Sequence, residues 1–287
     1  MSTSPKLEKG LLSRRFPVIF TDLDGTLLGN STYSFEAAQP ALEMIRKKKI
    51  PLIICSSKTR AEIEETRKML GNSDPFISEN GGGIFIPKDY FTFPFPFQQE
   101  KHGLKIIESG IRYEVLVKSL QRIREATGLA LKGFSMMEAG EIARLCNLSY
   151  EDALLARQRE YDEPFTIEGM EERESLQSVE KILQDAVREE GLFLTEGGRF
   201  FHLTGPNDKG MAVRLLLDLF QCQRGKVFSI ALGDSHNDAS MLKVADLSIL
   251  IQKEDGSFDE IEMVNYLQSE APGPEGWNRV ILKILES

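Results

Sequence analysis

Val18–Leu28 has the sequence VIFTDLDGTLL, an apolar run that ends in two carboxylates, Asp22 and Asp24, followed by a glycine. The apolar run predicts a buried strand. Two carboxylates this close at the end of such a strand repel each other, so a nearby cation is strongly favoured. Mg²⁺ suits these oxygen ligands, because it binds one or two carboxylates together with water and substrate phosphate. One carboxylate of the pair can also attack phosphorus and form an aspartyl-phosphate.

The same stretch is compatible with an ordinary turn, since Asp and Gly favour turns for backbone reasons. A calcium-binding loop is excluded by position. Gly25 comes too early in the loop, and Tyr33 occupies the place of the bidentate Glu. The choice between a turn and an active site therefore depends on the rest of the chain.

Length and charge set the broad class of the protein. The chain has 287 residues, of which 41% are hydrophobic and 28% charged, and its formal net charge is −9. This length allows a sizeable core and two domains. The negative charge argues against a broad nucleic-acid surface. It still permits an anionic substrate, because a local Mg²⁺ and a few Lys or Arg outweigh a diffuse negative field.

The chain carries no sequence signal for a membrane or for secretion. Its longest apolar runs, such as Pro51–Cys55, are too short to span a bilayer, and residues 1–15 lack the apolar segment of a secretory signal. Three cysteines without short spacing predict neither a zinc site nor a disulfide framework. We therefore expect a cytoplasmic protein.

Strands and helices alternate in the first and last parts of the chain, which predicts an α/β fold with a Rossmann-like, doubly wound parallel sheet. The middle differs: three glycines at 81–83 precede a stretch rich in prolines and aromatic residues, and helical patterns and a β-hairpin at 192–203 follow. We expect a catalytic core of residues 16–84 and 205–287, an inserted α+β module at about 85–204, and a mobile polar tail at 1–15. The core strands are predicted at Val18–Thr21, Pro51–Cys55, Phe76–Ile77, Val227–Leu232 and Leu247–Ile251.

Polar residues follow the predicted strands at the positions where open parallel sheets bind ligands. Ser56 follows the second strand, Gly233–Asp238 follows a later one, and Lys209 begins a helix. Each has an ordinary explanation by itself, as a helix cap or a solvated side chain. Together they form one coherent set, and coincidence at every strand end is improbable.

In this order the motifs resemble those of the haloacid dehalogenase (HAD) superfamily of phosphotransferases. The resemblance implies that Asp22 attacks phosphorus, and that Asp24 protonates the leaving group and then activates water. It also implies a Mg²⁺ cofactor held by Asp22, the carbonyl of Asp24, and Asp234. By the same resemblance Ser56 and Lys209 hold the phosphoryl oxygens, and Asp238 supports the metal or Lys209.

The position of the insert resembles the C2B cap subclass, and within it the chain is most similar to the mannosyl-3-phosphoglycerate phosphatases. The matching stretches include Ser78–Gly82, Arg159–Phe165 and Gly197–Leu203. Such enzymes act on small phosphorylated glycosides, with a phosphate, a carboxylate and a sugar, and their product is a compatible solute. The candidate substrate-binding residues are Arg159 and Arg199 for the carboxylate, Asn80 and Gly81 for sugar hydroxyls, and Lys58.

Three other readings stay open from the sequence. The chain resembles phosphatases of general sugar phosphates and phosphohexomutases of the same superfamily. A purely ligand-binding module is the third, but such a module has no need of the acid–base Asp24. The preference for mannosyl or glucosyl substrates and the oligomeric state are left open by the residues.

Overall fold

The computed structural model describes residues 15–169, 173–197, 200–263 and 265–286. Residues 1–14 of the predicted tail, and Arg199, lie outside the described residues. In the described part of the chain, a large sheet has nine strands in the order β13-β12-β11-β1-β2-β3-β4-β6-β5. These strands are β1 Phe16–Thr21, β2 Leu52–Cys55, β3 Phe76–Ser78, β4 Gly83–Pro87, β5 Gln99–Lys101, β6 Leu104–Glu108, β11 Val227–Gly233, β12 Leu247–Gln252 and β13 Leu267–Pro272.

The centre of this sheet is parallel and covered by helices on both faces, which confirms the predicted α/β fold. Within β1, Val18 and Phe20 pack into the hydrophobic cluster that contains side chains of α7, whereas Ile19 packs into the opposite cluster with side chains of α9. Successive residues of a strand point to opposite faces, so a strand buried on both sides has to be apolar throughout. The helices against this sheet are α1 Gln39–Lys48, α2 Arg60–Leu70, α7 Lys209–Arg224, α8 Ala239–Val244 and α9 Gly273–Glu286.

A second, four-stranded sheet has the order β7-β8-β10-β9 and is antiparallel. With its helices it forms residues 113–204, here called the cap module. The predicted hairpin is confirmed, since β9 and β10 pair in antiparallel register. The elements of the cap module are α3 Tyr113–Thr127, β7 Leu131–Gly133, α4 Ala139–Cys146, α5 Tyr150–Ala156, β8 Asp162–Ile167, α6 Arg173–Glu189, β9 Phe193–Gly197 and β10 Phe200–Thr204.

Residues 83–108, most of which were expected in the insert, add β4, β6 and β5 in antiparallel order to the large sheet. Pairing of β4 with β3 continues the edge that the parallel strands leave open, so this stretch extends the core sheet before the chain enters the cap module. The exact domain limits remain a prediction.

The fold brings the loops after β11, β1 and β2 together, because these three strands are neighbours and parallel. Ile19 is in register with Ile230 on one side and with Leu52 on the other. Carboxyl ends of parallel strands lie at one edge of the sheet, where open α/β sheets bind their ligands. Among the described residues, no helix is long and apolar enough to cross a membrane.

Candidate active site

A buried lysine between two carboxylates lies at the centre of this edge. Lys209, the first residue of α7, is fully buried, and its Nζ donates to Asp22 Oδ1 at 2.7 Å and to Asp238 Oδ1 at 2.6 Å. Burial lowers the pKa of Lys209, but the two carboxylates outweigh it and hold the pKa above its usual value. Lys209 is therefore a fixed positive charge beside Asp22.

Asp22 has the environment of a buried carboxylate rather than that of a turn residue. It directly follows β1, is 5% exposed, and donates its backbone N–H to the carbonyl of Leu232 at the end of β11. Burial raises its pKa well above the ordinary value; Lys209 opposes this rise and the neighbouring carboxylates add to it. Additional positive charge at this point would stabilise the ionised form.

The carboxylates of Asp22, Asp234 and Asp238 offer ligand oxygens within 4.8 Å of one another. Burial, and then Asp238, raise the pKa of Asp234 to about 6. Gly25 permits the close approach of Asp234: it has φ +75°, and a Cβ there would lie 2.6 Å from Asp234 Oδ2. An all-oxygen, negatively charged donor set of this kind fits Mg²⁺.

The three carboxylates are not equivalent. Asp238 Oδ1 accepts from Lys209, and its Oδ2 accepts from the backbone N–H groups of Asp234 at 3.0 Å and Ser235 at 3.2 Å. Both oxygens of Asp238 thus already have donors. The geometry favours a supporting role for Asp238 and leaves Asp22 and Asp234 more available to a cation.

Asp24 is held by a second lysine. Lys58 Nζ lies 3.0 Å from Asp24 Oδ2, and within the described residues Asp24 Oδ1 is buried without a hydrogen-bond partner. The two oxygens of this carboxylate therefore differ in their surroundings.

Ser56 lies where β2 ends, as predicted from its place after an apolar strand. It is buried, its Oγ accepts from the backbone N–H of Lys58 at 3.2 Å, and its own N–H donates to the Ile77 carbonyl at 3.1 Å. The loop then enters α2 through a capping box formed by Thr59 and Glu62. These contacts hold the loop of residues 56–59 beside β1.

Asn80 and Gly81 lie between the loops that follow β2 and β11. Asn80 has φ +53°, donates its N–H to the Ser56 carbonyl at 3.1 Å, and accepts from Asn237 Nδ2 at 3.3 Å. Gly81 has φ +95°, and a Cβ there would lie 2.2 Å from the carbonyl oxygen of Asp208. Gly81 is thus required for close packing against the start of α7.

Arg159 connects the cap module to the loop that follows β2 in the core. Its Nη1 donates to the Ser57 carbonyl at 3.1 Å and to Asp162 Oδ2 at 3.3 Å, and its Nε donates to the Ala156 carbonyl at 2.9 Å. Part of its guanidinium group is therefore already hydrogen-bonded, beside Ser57, and Arg159 is not a solvated helix residue.

Sequence reasoning missed two buried acids beside this arginine. Glu79 is fully buried and accepts the backbone N–H groups of Glu160 and Tyr161, and burial raises its pKa to about 8. Asp162 is also fully buried, with Oδ2 2.8 Å from His202 Nδ1. Both acids lie within the stretches that resemble the phosphatase family. The local sequence indicates only a loop around Glu79 and a strand around Asp162, so neither was predicted as a site residue.

Two residues near this edge of the sheet make structural hydrogen bonds. His236 is a hydrogen-bond partner, with Nδ1 3.0 Å from Asp259 Oδ2. Trp277 is fully buried and donates its indole N–H to Thr21 Oγ1 at 3.1 Å, which ties α9 to the end of β1.

The sequence matches a family model described as haloacid dehalogenase-like hydrolase over residues 19–256. The chain belongs to this family. A glucosyl-3-phosphoglycerate/mannosyl-3-phosphoglycerate phosphatase from Methanococcoides burtonii is 44% identical over 269 residues, covering 93% of this chain and 97% of that protein. A mannosyl-3-phosphoglycerate phosphatase from Pyrococcus furiosus is 38% identical over 237 residues, 82% of this chain and 90% of that protein.

Among solved structures, a HAD subclass IIB sugar phosphatase is similar to this chain with a TM-score of 0.58 and 18% sequence identity, covering 93% of this chain and 98% of that one. At this identity the likeness supports the fold. The family and the named relatives together confirm the prediction of a phosphoric monoester hydrolase.

Proposed function

We propose that this phosphatase hydrolyses mannosyl-3-phosphoglycerate, and also glucosyl-3-phosphoglycerate, to the glycosylglycerate and phosphate with the help of Mg²⁺. The observation that carries the proposal is that Asp22 Oδ1 lies 2.7 Å from the buried ammonium group of Lys209, with a second carboxylate, Asp24, of which one oxygen has no hydrogen-bond partner among the described residues. The names of the relatives at 38% and 44% identity supply the substrate class.

In the proposed reaction, Asp22 attacks phosphorus as the bond to the leaving oxygen breaks, and Asp24 gives its proton to that oxygen. Asp24 then takes a proton from a water molecule, whose oxygen attacks phosphorus and releases Asp22. Lys209 and Ser56 hold the phosphoryl oxygens in line for both displacements.

Magnesium would be held by Asp22, Asp234 and the carbonyl of Asp24, with Asp238 supporting Asp234 and Lys209. When bound, it neutralises charge on the phosphoryl oxygens. The support for this role is the group of carboxylates within 4.8 Å, together with the raised pKa of Asp22 and of Asp234. A group whose burial disfavours its charged form gains most from a neighbouring cation.

The rest of the substrate would lie between this edge and the cap module. Arg159 lies beside Ser57 and is our candidate for the glycerate carboxylate, as is Arg199, which lies outside the described residues. Asn80 and Gly81 are candidates for the remaining polar contacts. The product of such a reaction is a charged, highly soluble glycosylglycerate, so we also propose a role in making a compatible solute.

The test is phosphate release from mannosyl-3-phosphoglycerate, glucosyl-3-phosphoglycerate and mannose 6-phosphate, each with Mg²⁺ and with EDTA. We expect metal-dependent turnover of the two glycosyl-phosphoglycerates. Turnover of mannose 6-phosphate alone would overturn the substrate but keep the chemistry. Phosphoryl transfer that depends on a hexose bisphosphate and releases no free phosphate would instead identify a mutase.

A further inference from the structure

Lys58 is held on three sides in the loop after β2. Its Nζ lies 3.0 Å from Asp24 Oδ2, 3.6 Å from Glu62 Oε1 and 5.1 Å from the centre of the Tyr33 ring, and only 14% of its side chain is exposed. Its backbone is held as well, because its N–H donates to Ser56 Oγ and its carbonyl accepts from Glu79 N–H. A lysine fixed in this way has little freedom to follow a ligand.

Glu62 directs the lysine toward Asp24. Its Oε2 accepts from the N–H of Thr59 at 2.8 Å and from Thr59 Oγ1 at 2.9 Å, as part of the capping box of α2. This leaves Oε1 facing Lys58. Glu62, at the start of α2, thus contacts the ammonium group on one side, and Asp24 contacts it on the other.

The contact makes the two oxygens of Asp24 different. Oδ2 is bound to Lys58, whereas Oδ1 is buried and has no hydrogen-bond partner in the described part of the chain. A buried polar atom without a partner costs about 1–3 kcal/mol, so such atoms in folded proteins call for an explanation. A carboxyl held in one orientation, with Oδ2 on Lys58, supplies one for Asp24, whose side chain as a whole is 34% exposed.

We propose that Lys58 is a positioning residue that fixes the orientation of the Asp24 carboxyl, the group that exchanges a proton in both steps of the reaction. The proposal rests on the proposed phosphatase function. In the first step an O–H bond of the Asp24 carboxyl breaks, its proton goes to the leaving oxygen as the P–O bond breaks, and the carboxylate that results faces the Lys58 ammonium. In the second step the Asp24 carboxylate takes a proton from the attacking water. This differs from a direct substrate contact, the role suggested for Lys58 by sequence.

A comparison of two leaving groups distinguishes a positioning role of Lys58 from a direct substrate contact. An alkyl phosphate needs a proton on its departing oxygen, whereas p-nitrophenol leaves without one. For Lys58→Met, we expect the rate of the first step, measured in a single turnover, to fall about 10²-fold with the glycosyl-phosphoglycerate. The burst of p-nitrophenolate from p-nitrophenyl phosphate should change less than about threefold. KM should change little for either substrate, and in an Asp24→Asn background Lys58→Met should add no further loss.

The matched control is Lys68→Met on α2, where a lysine with a 70% exposed side chain pairs with Glu65. It should leave both rates and the thermal midpoint unchanged. A rise in KM alone for Lys58→Met would make Lys58 a substrate contact, and equal losses with both leaving groups would make its role structural; either result overturns the proposal. Lys58→Gln, which keeps a polar side chain, serves if the Met variant does not fold. Absence of phosphate release by the wild-type protein from either ester would refute the phosphatase itself.

Discussion

Replacement of Lys209 by methionine tests the electrostatic centre of the site. The ammonium group of Lys209 is the shared donor of Asp22 and Asp238, at 2.7 and 2.6 Å, and none of its side chain is exposed. Methionine has nearly the same shape but no charge. The change therefore leaves two carboxylates facing each other without the cation between them.

The expected loss of stability is large for one residue. Removing one partner of a buried ion pair costs about 3–5 kcal/mol, because the remaining charge stays buried and uncompensated. At roughly 2 °C for each kcal/mol in a protein of this size, the thermal midpoint should fall by about 6–10 °C. Phosphate release should also fall by at least about 10²-fold, since a donor to the transferring group is lost.

The assay is thermal unfolding at neutral pH, followed by circular dichroism, with EDTA and with Mg²⁺. Because a divalent cation beside Asp22 replaces part of the missing charge, Mg²⁺ should raise the midpoint of the variant more than that of the wild type. The matched control is Lys283→Met, at a lysine with a 67% exposed side chain that lies 3.2 Å from Glu270. Its unfolding free energy should change by no more than about 0.5 kcal/mol.

Equal midpoints for Lys209→Met and Lys283→Met would refute the reasoning, because they would mean that the buried lysine contributes no more than an exposed one. A variant that loses stability but gains nothing from Mg²⁺ would retain the ion-pair argument and refute the proximity of the cation to Asp22.

Three further predictions concern neighbouring parts of the site. Asp22→Asn should reduce phosphate release by more than about 10³-fold while calorimetry still detects substrate binding; retained turnover would exclude Asp22 as the nucleophile. Gly25→Ala, whose Cβ would lie 2.6 Å from Asp234 Oδ2, should raise the Mg²⁺ concentration for half-maximal activity about tenfold or more. Gly71→Ala, with φ +60° and open space around the Cβ, should not raise it. Burial raises the pKa of Glu79 to about 8, above its value in the unfolded chain, so its stabilising contribution falls as pH rises from about 4.5 through 8. The free energy of unfolding, measured with urea, should therefore decrease between pH 5 and pH 8, and in Glu79→Gln this decrease should be smaller by more than about 1 kcal/mol. An equal decrease in the variant and the wild type would show that Glu79 does not titrate in this range.

Much of the fold follows from local patterns. The strands β1, β2, β11 and β12 are continuous apolar runs and lie where the sequence predicts them, and α7 begins at Lys209 as predicted. The strand β13 was not predicted, because Leu267–Pro272 has three consecutive polar residues and ends in proline. It becomes a strand by pairing with β12 at the edge of the sheet. Likewise, the placement of β4–β6 in the large sheet depends on the free edge of β3, which local sequence does not describe.

Local sequence patterns are sufficient to predict which chemical groups follow which strands: the carboxylates after β1, the hydroxyl after β2, and the acidic cluster after β11. Parallel strands all end at one edge, so this information is enough to expect Asp22 and Asp234 in one site although they are far apart in the chain. Lys209 joins the site from the start of α7, which follows the cap module. The hydrogen-bond partner of each oxygen depends on tertiary packing. In the described part of the chain, both oxygens of Asp238 accept from donors, one oxygen of Asp24 pairs with Lys58 while the other has no partner, and Arg159 is buried against Asp162. The reason is physical: strand and helix periodicity are properties of neighbouring residues, whereas the partner of a buried charge is set by whichever distant group packing brings within about 3 Å.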